Sequence, residues 1–131
     1  MTIDFHTHIL PPEIRNRRKT LLSQDNTFGD LFSYSRSRIA TADELINEMD
    51  KENVDISIVM GIGWTDRGIA IEANNYIVEA VKNYPMRLVG FCGVNPKWGN
   101  PAVYEAERCA NLGLRGIGEL HPTSQGYNLG D

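Results

Sequence analysis

The run Leu88-Val89-Gly90-Phe91-Cys92-Gly93-Val94 contains no polar side chain. No other feature limits the fold as much. A strand with one wet face alternates apolar and polar residues, whereas an unbroken apolar run suits a parallel strand covered on both faces. Arg87 precedes it and Asn95-Pro96 stops it, so a strand is expected over 87–94. Three further segments read as strands: Thr2–Phe5, Val54–Met60 and Leu114–Leu120.

Helices fall between them. Thr41 with Glu44 three residues on forms a capping box. The helix it opens carries Leu45, Ile46 and Met49 along one side and should end near Asn53. A second helix is expected over 69–83, with Ile69, Ala73, Ile77 and Val81 close to one face and Pro85 barring continuation. Asn100 can cap a third, with Pro101 at its first position and Gly113 as terminator. Strand then helix, three times over, followed by a strand, is the pattern of an α/β fold with a parallel sheet. Two architectures give it: a small doubly wound sheet, or the first half of a (β/α)₈ barrel of about 250 residues. The chain has 131 residues.

That length suits one domain. With 41% hydrophobic and 23% charged residues, general disorder is excluded. A formal net charge of -4 and the lack of a basic tail argue against a nucleic-acid partner held by a basic surface. No stretch approaches the roughly 20 apolar residues of a membrane span. The start lacks the basic flank and apolar run of a secretory leader, and the two cysteines form no CxxC, so a reduced cytoplasmic protein is expected. Residues 11–40 read as a long insertion or loop after strand one. Pro11-Pro12 can open a short helix there, but Ser23 to Ser37 shows poor periodicity. Arg15, Arg17, Arg18 and Lys19 read as a solvated helix face.

The residues suited to chemistry gather at strand ends. His6 and His8 are two apart, so in extended backbone they share a face with Asp4. Paired imidazoles after strand one, followed by a long connection, are the start of a divalent metal site; alternatively they are polar residues at the top of a strand. In Gly118-Glu119-Leu120-His121-Pro122, Glu119 and His121 alternate onto one face. A carboxylate beside so apolar a strand needs a metal or a cation, and Arg115 is the competing partner. His121 reads as a pocket residue or ligand. Cys92 and Cys109 read as core packing. Trp64 and Trp98 either wall a pocket or cover the strand ends. Asn95 and Asp66 are open candidates for substrate contacts. Gly61-Ile62-Gly63 is a weak dinucleotide signal.

Ile3-Asp4-Phe5-His6-Thr7-His8 resembles the opening of the amidohydrolase superfamily, in particular its amidohydrolase-2 branch, which includes aminocarboxymuconate-semialdehyde decarboxylase. The prolines that follow, the strand Val54–Val59, and the segments Arg87–Pro96 and Gly113–Pro122 are similar to that branch as well. The resemblance implies the N-terminal half of a (β/α)₈ barrel, about four parallel strands and three main helices, incomplete in this chain. It implies that His6 and His8 bind a divalent metal, usually zinc. It places Glu119 where members with two ions carry an acidic bridging ligand, so one or two ions are expected. The remaining ligands of the family lie on later strands, so the chain reads as a piece of a longer protein. The expected function is metal-dependent hydrolysis of a small carbonyl-containing substrate, with Glu119 and His121 in catalysis. Non-oxidative decarboxylation is the alternative within the family, and a non-catalytic α/β fragment or scaffold the alternative outside it. A nucleotide- or phosphate-binding doubly wound module is disfavoured, because no glycine-rich loop follows strand one. An incomplete barrel exposes an edge, through which a homo-oligomer or other association is expected.

Overall fold

The computed structural model describes residues 1–131. Its sheet has four parallel strands: β1 (Ile3–His8), β2 (Ile56–Met60), β3 (Leu88–Cys92) and β4 (Gly116–Ile117), side by side in chain order. Doubly wound sheets reverse their strand order at a switch point, and barrels do not. The helices agree. α4 (Ala42–Glu52), α5 (Arg67–Asn83) and α6 (Asn100–Asn111) contribute Ile46, Ile77 and Cys109 to one core that also holds Val59, Leu88 and Cys92. One shared core places the three on the same side of the sheet, as in a barrel wall. Gly90 lets this layer close, because a Cβ there would lie 2.7 Å from both Ile77 and Leu114.

The opposite face has no such layer. Ile3, Phe5 and Ile117 are 47%, 67% and 53% exposed, although Phe5 meets the Phe91 ring edge-on at 6.3 Å. In a complete barrel these positions would belong to the packed interior.

Local signals are obeyed closely in α4. The Thr41 hydroxyl accepts from Glu44 N–H, the Glu44 carboxylate accepts from Thr41 N–H, and Asn53 ends the helix in left-handed backbone. Helix α6 differs in one detail: Gly99 takes the cap position and Asn100 is the first helical residue, without a side-chain cap.

Two expectations need correction. First, the connection after β1 is largely helical. It forms α1 (Pro12–Asn16), α2 (Arg18–Gln24) and α3 (Asn26–Phe32), so the stretch read as a loop from Ser23 onward is helical to Phe32. Helices this short show too little period to be read. They are stabilised by burying Leu10, Ile14, Leu21 and Phe28 with Ile62 and Trp64 in a second core. Second, the fourth strand is not Leu114–Leu120 but Gly116–Ile117 alone. Only β3 flanks it, so nothing on its far side holds a longer ladder. The chain then forms the short helix α7 (Pro122–Gln125).

Candidate metal centre

Strand β1 runs three residues past its expected end, Phe5, and carries both histidines. Between the pairs Asp4–Ser57 and Thr7–Val59 it uses three steps against two on β2. This bulge re-aims the side chains that follow, a device common beside active sites. Thr7 Oγ1 donates to Ile58 O at 2.8 Å and ties the bulged end to β2.

His8 Nδ1 lies 3.3 Å from Met60 O. A carbonyl only accepts, so this bond assigns the hydrogen to Nδ1 and leaves a lone pair on Nε2. That Nε2 is 3.1 Å from His6 Nε2 and 3.4 Å from Glu119 Oε2. Glu119 Oε2 is 3.8 Å from His6 Nε2. Three ligand-type atoms thus converge from the ends of β1 and β4, and the His6 side chain, 59% exposed, faces solvent. Glu119 forms no ion pair with Arg115, and its backbone N–H donates to Gly61 O at 3.3 Å.

The triangle suits a divalent ion. Two ligand atoms about 2.1 Å from one ion at a tetrahedral angle lie roughly 3.4 Å apart, and at a right angle roughly 3.0 Å. The edges of 3.1, 3.4 and 3.8 Å span that range and exceed it at one corner, where the exposed His6 can adjust. Two neutral imidazoles and a carboxylate suit zinc or manganese, and the carbonyl behind His8 is the usual outer partner of a metal-bound histidine.

His121 lies outside this group. It precedes α7, its backbone N–H donates to Gln125 Oε1 at 2.8 Å, and its Nδ1 is buried without a hydrogen-bond partner. The alternation that would place it beside Glu119 fails because β4 ends at Ile117.

The other candidates have structural tasks. Asp66 caps α5 by accepting from Ile69 N–H. Asn95 caps the 3₁₀ turn Pro96–Trp98 and donates to Gln125 O. Trp64 is fully buried and stacks on Phe28 at 6.0 Å; Trp98 Nε1 donates to Thr65 O. Cys92, Glu105 and Cys109 form a second cluster of ligand-type atoms, wholly buried. The Glu105 oxygens are already taken by Arg108 and by Asn74 Nδ2. The hydrogen bond to Cys92, and then burial, push the Cys109 thiol far above its ordinary range. A protonated thiol is a poor ligand, so this cluster is core.

Sequence reasoning missed two polar residues that frame the site. Gln125 is buried, and its Nε2 donates to Trp64 O at 3.1 Å and Val94 O at 3.0 Å while Oε1 receives His121 N–H. One amide therefore joins the chain beyond β2, β3 and β4. The fully buried Asp25 accepts from the N–H groups of Phe28, Thr65 and Asp66 and fastens α3 to the loop after β2. No local pattern marks either role, since their partners are distant in sequence.

The amidohydrolase family model matches residues 3–131. The chain belongs to the amidohydrolase family. No curated protein matches it significantly. Among solved structures it is similar to 5-carboxyvanillate decarboxylase from Novosphingobium aromaticivorans, solved with manganese and a nitrobenzoic acid ligand. The TM-score is 0.72 and the identity 22%, over 98% of this chain and 44% of that one. It is similar to 2,6-dihydroxybenzoate decarboxylase from Rhizobium, with TM-score 0.62, 23% identity, 88% of this chain and 37% of that one. It is also similar to 4-oxalomesaconate hydratase from Rhodopseudomonas palustris, with TM-score 0.53, 21% identity, 89% of this chain and 40% of that one. At these identities the likeness establishes the fold, that of a partial amidohydrolase barrel. The chain spans less than half the length of these structures.

Proposed function

We propose that this amidohydrolase is the N-terminal portion, residues 1–131, of a metal-dependent hydrolase acting on a small carbonyl-containing substrate. The observation that carries the reading is the convergence of His6 Nε2, His8 Nε2 and Glu119 Oε2 within 4.8 Å at the ends of parallel strands. A divalent ion held there would supply Lewis acidity and a water acidic enough to react near neutral pH. The expectation of zinc stands beside manganese, which the 5-carboxyvanillate decarboxylase structure contains.

The chain's own groups divide the work. His6 and His8 hold the ion, with His8 oriented by Met60 O. Glu119 would hold the ion through Oε2, and Oε1, which receives no protein hydrogen bond, would be free to accept a proton from water or to hold a second ion. His121, held at its backbone by Gln125, offers Nε2 to the substrate oxygen. The missing ligands come from strands beyond residue 131 in the full-length protein.

A second reading, non-oxidative decarboxylation, is favoured by the decarboxylases among the similar folds. Full-length protein assayed for CO₂ release from hydroxybenzoates and for hydrolysis of lactones and amides separates the two. Hydrolysis without CO₂ supports the main reading; CO₂ release alone overturns it. Loss of either activity in His8→Ala ties it to this site.

The exposed Ile3, Phe5 and Ile117 and the unpaired edges of β1 and β4 favour association, with a second copy or with the rest of a barrel. No helix is long and apolar enough to cross a membrane. Free thiols at Cys92 and Cys109 fit the cytoplasm.

A further inference from the structure

A groove of about 720 Å³ runs between α4 and the segment from Ser35 to Ala40, away from the metal ligands. Its lining is mainly charged and polar. Arg15, Arg18, Arg36, Arg38 and Lys51 line it, opposed only by the carboxylates of Glu44 and Glu48. The local balance is therefore strongly positive, in a chain whose net charge is -4.

The cations are not equivalent. Arg15 pairs with Glu44 at 2.8 Å and Lys51 with Glu48 at 2.5 Å. Arg18 has no carboxylate partner. Its guanidinium donates to the carbonyls of Phe32, Tyr34 and Ser37, each at 2.8 Å, and lies 5.8 Å from the centre of the Phe32 ring. Those bonds fix the segment that carries Arg36 and Arg38, without neutralising any charge. Arg36 and Arg38 are exposed and form no ion pair.

We propose that this groove is a binding site for a compact ligand with two or more anionic groups, carboxylates or phosphates. Arginine forks match either group bidentately, and a concave wall of like charge focuses the field on its occupant. A solvated basic face would explain scattered arginines. It does not explain three unneutralised guanidinium groups around one hollow, one of them locked by three carbonyls.

The test titrates the full-length, metal-loaded protein with pyrophosphate and separately with tricarballylate at low ionic strength, followed by calorimetry. Saturable binding is expected, weakened about tenfold or more by Arg36→Ala with Arg38→Ala, and weakened by salt. Glu48→Gln, which releases Lys51, should tighten it. His6→Ala with His8→Ala should leave it intact, which separates the groove from anions drawn to a metal. The stronger of the two probes identifies the anionic group. No saturable binding, binding untouched by the arginine substitutions, or charge-driven self-association instead of ligand binding would each overturn the proposal.

Discussion

The side-chain amide of Gln125 accepts the backbone N–H of His121 at 2.8 Å while donating to Trp64 O and Val94 O. Gly63 sits against the same junction, where a Cβ would lie 2.6 Å from His121 N. Gln125→Leu leaves two buried carbonyls and one N–H unpaired, at an expected cost of about 3 kcal/mol. Gly63→Ala should be comparably damaging, because backbone rather than a flexible side chain stands in the way. Urea unfolding of both variants checks this; a loss below about 1 kcal/mol in both would remove Gln125 as the clamp.

Glu105 provides an acid-sensitive tie. Burial raises its pKa, but hydrogen bonds from Arg108 and Asn74 outweigh burial and leave it below the ordinary carboxylate range. A lowered folded pKa contributes stability that is present above the unfolded pKa of about 4.3 and is lost as pH falls through the folded value. Glu105→Gln should therefore destabilise near neutral pH, by about 2 kcal/mol, and flatten the loss of stability below about pH 4. Thermal melts from pH 7 to 3 on both proteins show whether the curves converge.

The thiols should be inert in the folded state. Both are buried, and Cys109 is held protonated by its contact with Cys92 and by burial. A disulfide-exchange reagent at pH 8 should label neither cysteine until denaturant is added. Rapid labelling of the native protein would show that α6 opens from β3.

The open sheet face should govern association. Phe5→Glu places a charge among Ile3, Ile117 and Phe91 and should shift sedimentation toward monomer. Unchanged sedimentation would move the interface elsewhere.

The main frame was legible because its signals are local. The apolar run at β3 and the Thr41 capping box each need only neighbouring residues. The His-x-His pair could be placed at the end of the first strand, yet the bulge that aims it depends on pairing with β2, which no single segment reveals. Glu119 was reached by a burial argument, whereas His121 was placed by assuming a strand too long. The short helices after β1 and the clamp at Gln125 were hidden for one shared reason. Their stability comes from partners distant in sequence: Phe28 against Trp64, and Gln125 against Val94.

The metal centre rests on His6, His8 and Glu119 holding an ion. Its most direct test is the metal content of purified full-length protein, by elemental analysis after dialysis, beside His8→Ala and Glu119→Gln. About one or two divalent ions per chain are expected in the wild type, with loss of most of that content in His8→Ala and a reduced content in Glu119→Gln. Metal-free wild-type protein that takes up no ion when one is supplied would contradict it, as would variants that hold as much as the wild type.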